Sequence, residues 1–535
     1  MDETIKSALE NWKSARALLS SSIQSYLDTC TALRTACVSP LHQFPGSALI
    51  EDSLVAVESQ LESLATDAKT LLNLQVSLKA MRKKLTTPAR INTLPPEILA
   101  DIFTRSGGYC AHVKNFSSRS LASVCTYWRE TALSTPELWA HIDVGPTMLY
   151  LNTNLLLERS KGSPIYVHLY EPEPPGGGPT PEYEVFKAMG VLTFHMHRVR
   201  ALEMKSYSYS RSFMFAILNL WLTRGSEGTP TTLRVFRPNG DQVLGPDEVG
   251  RYGKLDSRSK HGKAILSSLR TLHLDGVQFT WDSGAYRGLV DLQLDLSKAG
   301  SIPISQSQFL SILSANPELS VLKLKHPEVA SSGDQAQSTP VLLPNLQVLT
   351  ILDPFDKNIE ALLPLIALPY SSPDLNVSIE CTLSARDHLQ DLFVRSEIPT
   401  LVWDGNRNNF LLGRSPFRSI HSFQTLILHL WRIQDASQES GSDPGLPTSQ
   451  SLPLSPLPSV VLVSCTISFD GLKALISGHH ILNLRLDQCE VERSSEKSLE
   501  DMRDALLKLY PELNCSISNI DTTAELPCRV FFEYD

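Results

Sequence analysis

Several features that would assign a function class directly are missing from this 535-residue sequence. It contains no uninterrupted apolar run long enough to span a bilayer, and the acidic opening Met1-Asp2-Glu3 is not followed by the apolar stretch of a secretory signal. The formal net charge is −9, so the chain as a whole offers no electrostatic basis for nucleic-acid binding. We therefore expect neither a membrane nor a nucleic acid as a partner.

Catalytic and cofactor motifs are also missing. The sequence contains no G-x-S-x-G, H-E-x-x-H or dinucleotide-binding pattern. The pairs His195/His197 and His479/His480 have no Cys or carboxylate at the spacing of a zinc site. The glycines at 176–178 lack the Lys-Ser/Thr of a phosphate loop. We therefore predict a protein that is not an enzyme, with no catalytic residues, no cofactor and no metal.

Cysteine usage and composition indicate where the protein acts and what kind of chain it is. The nine cysteines are an odd number without tight pairs, which is typical of reduced thiols inside the cell. We therefore expect an intracellular protein, cytoplasmic and/or nuclear. Hydrophobic content of 42% and charged content of 20% are typical of a globular chain. The length predicts about two to four structural units.

Residues 1–87 carry two series of apolar residues spaced alternately three and four apart, separated by a breaker-rich loop at 39–46. This spacing predicts an antiparallel helical hairpin, or coiled coil. Each helix alone would expose its apolar seam, which must pair with the other helix or with a second copy. We favour pairing within the chain and leave a homodimer open. The first seam is interrupted by Arg16 and comprises Leu9, Trp12, Leu19, Ile23, Tyr26, Cys30, Leu33 and Cys37. The second has one slip between Leu71 and Leu74 and comprises Leu54, Val57, Leu61, Leu64, Ala68, Leu71, Leu74, Leu78, Met81 and Leu85.

A short amphipathic helix is predicted after residue 94. Pro95 and Pro96 suit the start of a helix, and Glu97 suits the positive end of its dipole. Ile98, Leu99, Ile102 and Phe103 then form one broad apolar face. Further along, Leu121, Val124, Cys125 and Trp128 recur at helical spacing, and a third apolar cluster ends at Trp139.

These segments resemble a known module. Leu94-Pro95-x-Glu97-Ile98-Leu99, Val124-Cys125-x-x-Trp128-Arg129 and Thr135-Pro136-Glu137-Leu138-Trp139 are similar to the F-box, in the version common in fungal proteins. The resemblance implies a small all-α module over residues 88–145 that docks on the adaptor subunit of a cullin–RING ubiquitin ligase. The residues expected to bind the adaptor are Leu94, Pro95, Ile98, Leu99, Ile102, Phe103, Leu121, Val124 and Trp128.

The alternative is that these apolar residues form the core of the module itself, a reading that weighs most for Trp139.

The sequence changes character from residue 141, where short apolar strands recur. The segments 457–465 and 481–489 match the pattern L-x-x-L-x-L-x-x-N/C of leucine-rich repeats. From Leu272 the strand starts advance by 20 to 34 residues. Candidate helices at 307–315, 358–366 and 469–476 lie between strands. The predicted strand starts are Leu202, Leu233, Leu272, Leu292, Leu322, Leu349, Val377, Leu401, Leu426, Val460 and Leu484.

Strand and helix at a recurring period predict a leucine-rich-repeat-like α/β solenoid over residues 146–535. Cys465 and Cys489 occupy the inward position of the pattern, where we expect packing rather than chemistry. Four inserts read as disordered surface loops, and a final helix and an edge strand are expected near the end. The inserts are 171–179, 239–263, 326–340 and 433–458; the terminal elements are 495–510 and 530–534.

Taken together, the fold class is α plus α/β multi-domain, and two functions compete. The first is the substrate receptor of a cullin–RING (SCF-type) ligase, in which the F-box docks the adaptor and the solenoid binds an unknown substrate protein. The second is a scaffold outside any ligase, which oligomerises through its helical hairpin.

Overall fold

The computed structural model divides the chain into two units, Met1–Pro95 and Pro96–Asp535. The residues that it describes are 2–38, 47–85, 90–106, 118–144, 150–171, 182–206, 212–237, 242–244, 249–250, 253–254, 259–297, 302–330, 339–353, 356–369, 375–380, 386–405, 409–410, 424–433, 457–492 and 498–518.

The N-terminal unit is helical. It contains α1 (Asp2–Val38), α2 (Ser47–Leu85) and a 3₁₀ turn at Arg90–Thr93. None of the side chains described in α1 and α2 is buried. Trp12 of α1 lines an open cavity of about 370 Å³ together with Leu71, Leu74, Gln75, Leu78 and Lys79 of α2. Both predicted seams thus stay accessible in their described parts, and their full pairing with each other stays a prediction.

The second unit begins with three short helices, α3 (Pro96–Ser106), α4 (Ser118–Val124) and α5 (Thr126–Ser134). A 3₁₀ helix at Pro136–Trp139 leads directly into the first strand, β1 (His141–Val144). Helix α5 packs against α3, α4 and the 3₁₀ helix. The connection between α3 and α4, residues 107–117, lies outside the described residues.

A parallel sheet of 14 strands forms the rest of this unit. Each strand pairs with the next in chain order, which requires a crossover between neighbours. Beyond β1 its strands are β2 (Ile165–Glu171), β3 (Val199–Ser206), β4 (Thr232–Phe236), β8 (Thr271–Asp275), β10 (Asp291–Asp295), β11 (Val321–Lys325), β13 (Val348–Leu352), β15 (Asn376–Glu380), β16 (Thr400–Asp404), β18 (Thr425–His429), β20 (Ser459–Val463), β22 (Asn483–Asp487) and β24 (Asn514–Ser518).

The crossovers carry helices and a few short strands. The helices are α6 (Tyr150–Arg159), α7 (Glu182–Thr193), α8 (Ser212–Arg224), α9 (Lys260–Ser267), α10 (Gln306–Ser314), α11 (Asp356–Leu362), α12 (Arg386–Arg395), α13 (Phe469–His479) and α14 (Leu499–Leu509). The short strands are β5 (Gln242–Leu244), β6 (Val249–Gly250), β7 (Gly253–Lys254), β9 (Val277–Phe279), β12 (Val341–Leu342), β14 (Ile366–Ala367), β17 (Asn409–Phe410), β19 (Arg432–Ile433), β21 (Thr466–Ile467) and β23 (Glu490–Val491).

Every strand start predicted from the sequence falls on one row of the sheet. Leu272 pairs with Leu292, Leu292 with Leu322, and Leu322 with Leu349, without a register shift. Because alternate residues of a strand face the same side, this row and the one two residues later build a continuous core. The complete row is Ile142, Val167, Leu202, Leu233, Leu272, Leu292, Leu322, Leu349, Val377, Leu401, Leu426, Val460, Leu484 and Cys515.

Several strands end in a left-handed residue that turns the chain. Leu430, Ser464 and Gln488 have φ of 56°, 51° and 50° at equivalent positions after β18, β20 and β22. The thiol of Cys465 then donates to the Leu428 carbonyl at 3.2 Å, and the thiol of Cys489 to the Leu462 carbonyl at 3.3 Å. Both cysteines are buried, so the predicted packing role is confirmed.

The predicted inserts and terminal segments are only partly described. Within 239–263, strand β5 pairs in parallel with β9, so this part is a strand rather than a loop. Most of the inserts at 171–179 and 433–458, and the edge strand predicted at 530–534, lie outside the described residues. The final helix is α14, and strand β24 follows it.

Candidate functional site

The interior of the three-helix segment comes from residues that the sequence places on its apolar faces. Leu99 and Phe103, one turn apart on α3, are 0% and 1% exposed, and Leu121 of α4 is 5% exposed. The Phe103 ring lies 4.7 Å from the ring of Trp128, centroid to centroid. Leu99, Phe103 and Leu121 are therefore part of the core of the module, and their predicted contact with the adaptor stays a prediction.

Other predicted residues of these helices face solvent. Ile98 is 51% exposed, Ile102 is 37% exposed and Val124 is 57% exposed, while Trp128 is half-buried over Phe103. Ile98 and Ile102 are four residues apart and share one face of α3. The three packed helices thus present large apolar side chains to water, and Ile98 with Ile102 forms an adjacent pair of them on α3.

Leu133 of α5 is another exposed apolar side chain, but it was not predicted from the sequence as an adaptor contact. It is 39% exposed, whereas its neighbour Ala132 is fully buried. The sequence carried no signal for this exposure, since adjacent residues of a helix can both be buried, as Thr131 and Ala132 are in the same helix.

Leu94 and Pro95 belong to the N-terminal unit. Leu94 is half-buried, and its backbone N–H donates to the Ile91 carbonyl at 3.3 Å. Pro95 is exposed. Helix α3 begins at Pro96 with Glu97 in its first turn, as the sequence predicts.

Trp139 is a structural residue of the module. Its side chain is fully buried, and its indole N–H donates to the Ala132 carbonyl at 2.7 Å. The Arg159 guanidinium of α6 lies 4.4 Å from the centre of the Trp139 ring, within cation–π range. These contacts connect the 3₁₀ helix to α5 and to the first helix of the sheet region.

Two titratable groups with large pKa shifts, Glu380 and His141, lie on strands of the sheet. Burial, followed by the nearby charges of Asp404 and Asp353, raises the pKa of Glu380 to about 7. Burial, followed by the neighbouring His168, lowers the pKa of His141 to about 4. The His141 ring also stacks on Tyr166 at 4.7 Å.

The two histidine pairs considered as metal ligands lie at the ends of helices. His479 is buried at the end of α13, and His480 adopts a left-handed conformation that ends the helix. His195 precedes a 3₁₀ turn, with its Nδ1 3.3 Å from the Arg198 guanidinium. Across the described residues, no group of three His, Cys, Asp or Glu side chains could hold a metal ion. Nor does any described helix combine the length and apolarity needed to cross a bilayer.

Comparison with known proteins identifies one part of the chain. Residues 91–144 match the F-box-like family, and this range covers α3, α4, α5, the 3₁₀ helix and β1. No curated protein matches the chain. F-box domains bind adaptor subunits of cullin–RING ligases, so the match suggests a role in substrate recognition by an SCF-type ubiquitin ligase.

Proposed function

We propose, from the premise that residues 91–144 are an F-box-like domain, that this chain is the substrate receptor of a cullin–RING ubiquitin ligase of the SCF type. The observation that carries the proposal is the exposed apolar set Ile98, Ile102, Val124 and Leu133 on the helices of this domain. We refer to these four side chains as the apolar docking face.

Burial of the docking face gives the adaptor its affinity in this proposal. Each Å² of apolar surface removed from water contributes about 25 cal/mol, and a few central side chains dominate most interfaces. Leu99 and Phe103 hold α3 in place from inside, while Trp128 packs over Phe103 and leaves part of its ring accessible. The predicted adaptor residues thus divide into a supporting core and a contacting face.

The region from residue 146 to 535 is proposed to be a leucine-rich-repeat-like solenoid that binds the substrate protein. Three features support this. One row of apolar residues runs uninterrupted along 14 parallel strands, and left-handed turns recur after the strands. A buried free thiol also follows each of β20 and β22 and donates to a backbone carbonyl. A receptor needs no catalytic residue or cofactor. It acts by tethering, which raises the effective concentration of a substrate lysine near the ubiquitin carrier.

A second candidate function is a scaffold outside any ligase, with a fungal-type F-box fold and an oligomerising helical hairpin over residues 1–87. The exposed seams of α1 and α2 favour this candidate. In either case we propose three domains, 1–87, 88–145 and 146–535, and action in the cytoplasm or nucleus.

Calorimetry of the full chain with the ligase adaptor tests the proposal. Ile98→Asp places a charge in the docking face, and we expect binding at least about 30-fold weaker, because a central contact contributes about 2 kcal/mol or more. Leu482→Asp is the matched control, since Leu482 is 50% exposed and lies outside the domain. Leu99→Asp is less informative because it would disrupt the core.

A stoichiometric complex that Ile98→Asp weakens and Leu482→Asp does not would support the receptor. If the folded wild-type chain forms no complex with the adaptor, the receptor function is contradicted and the scaffold is the remaining candidate function.

A further inference from the structure

Helices α1 and α2 expose far more apolar surface than a stable isolated pair would. Seven large apolar side chains of α1 and nine of α2 are more than one-third exposed. Long helices in water derive most of their stability from packing of an apolar face, so these faces require a cover. The exposed residues of α2 are Val55, Leu61, Leu64, Leu71, Leu72, Leu74, Val76, Leu78 and Met81.

The charges of α2 are separated along its length. Its five acidic residues lie within 51–67, the acidic half, and its five basic residues lie within 69–84, the basic half. Helix α1 instead intermixes both signs, as in the ion pair of Glu10 with Lys13 at 2.8 Å. Helix α1 therefore offers no charge pattern complementary to α2, whereas a second α2 in the opposite direction does.

We infer that two copies of this chain associate through antiparallel α2 helices. In this arrangement the acidic half of each copy faces the basic half of the other, whereas parallel helices would set like charges side by side. The contact is self-complementary and closes with two-fold symmetry. It deepens the second candidate function, on whose oligomerising hairpin it rests, by assigning the contact between copies to α2 and its orientation to antiparallel.

The apolar seam fits the same orientation. With the two-fold axis between Ala68 and Leu71, Leu61 of one copy lies opposite Leu78 of the other, and Leu64 lies opposite Gln75, next to Leu74. Leu74 and Leu78 line the open cavity of about 370 Å³ beside Trp12. The second copy thus supplies side chains at the place where packing between α1 and α2 is incomplete.

The extent of the surface is adequate for a stable dimer. A helix of 39 residues is about 58 Å long at 1.5 Å per residue. Stable interfaces bury roughly 800 Å² on each partner. On one side of α2, Leu61, Leu64, Leu71, Leu74 and Leu78 are each 43–58% exposed and supply the apolar part of this surface, with Trp12 flanking them. The assembly would carry two F-box-like domains.

Charge reversal on the full chain tests the inference, with molar mass measured by light scattering. Wild type should have twice the protomer mass of 59.3 kDa. The variant Glu58→Lys/Glu62→Lys and the variant Lys69→Glu/Lys79→Glu should each dissociate at least about tenfold more readily, because each faces like charges in its own dimer. An equimolar mixture should regain the dimer mass. Glu10→Lys/Asp28→Lys, the matched control on α1, should remain dimeric.

A wild-type chain of protomer mass at tens of micromolar would overturn the inference. Two reversed variants that both remain dimeric would also overturn it, because α2 would then not be the contact. A mixture that fails to regain the dimer mass would contradict the antiparallel orientation. Adaptor binding by the same variants is measured separately, so failure of the dimer and failure of the receptor function are distinguishable.

Discussion

Removal of the Trp139 side chain should destabilise the F-box-like domain more than any change on its surface. Trp139→Ala deletes a fully buried ring, which costs about 3–5 kcal/mol in protein cores. It also leaves the buried Ala132 carbonyl without its indole donor, a loss of about 1 kcal/mol. Since whole domains are stable by about 5–15 kcal/mol, this change removes a large part of the total.

The matched variant is Trp139→Phe, which keeps most of the ring and loses the N–H donor. We expect it to cost about 1–2 kcal/mol. Amide hydrogen exchange of α4 and α5 in increasing urea measures the local free energy of opening for each variant. A Trp139→Ala protein within about 1 kcal/mol of wild type, or no more affected than Trp139→Phe, would refute the structural role of this ring.

Two further predictions concern the sheet. Gly405→Ala should lower the free energy of unfolding by about 1–3 kcal/mol in a thermal unfolding assay, because its new Cβ would clash with the buried ring of Trp431. Gly190→Ala places its Cβ in open space on α7 and should raise the free energy of unfolding by about 0.5–1 kcal/mol in the same assay. Glu380→Gln should stabilise the protein at pH 8 but not at pH 4. Because the pKa of Glu380 is raised to about 7 in the folded state, the wild-type protein loses stability as pH rises from 4.5 through 7. Solvent screening keeps the stabilisation of the variant over wild type below about 1 kcal/mol. A stability difference between wild type and variant that does not change with pH would contradict this sign.

The strands were predictable because a parallel sheet with a repeated inward row imposes a strict residue pattern. Each leucine or valine that starts an apolar-x-apolar triplet, from Leu202 to Leu484, falls on the same row of the sheet. The buried thiols at Cys465 and Cys489 followed from the same pattern. Helices α10, α11 and α13 begin within two residues of their predicted starts.

Other features had no comparable sequence signal. His326, Leu430, Ser464 and Gln488 adopt left-handed turns although none is glycine, because the recurring turn and its backbone hydrogen bonds impose the conformation. Strand β5 was missed because its partner β9 is distant in sequence and only three residues of each strand pair.

The docking face shows most clearly what apolar spacing in the sequence does not determine. Apolar spacing placed Ile98, Leu99, Ile102 and Phe103 on one broad face, but helix packing buries only Leu99 and Phe103. Periodicity identifies the apolar side of a helix. It does not decide which of its residues meets the core and which meets solvent or a partner, since that depends on the crossing angle with the neighbouring helices.

Hydrogen exchange of the full chain, alone and with saturating ligase adaptor, tests the central claim most directly. We expect slower exchange in α3, α4 and α5, whose outward side chains include Ile98, Ile102 and Val124. We expect no change in β20, β22 and β24, far along the sheet order. Unchanged exchange throughout the three helices at saturating adaptor would contradict the proposal that this face binds the adaptor.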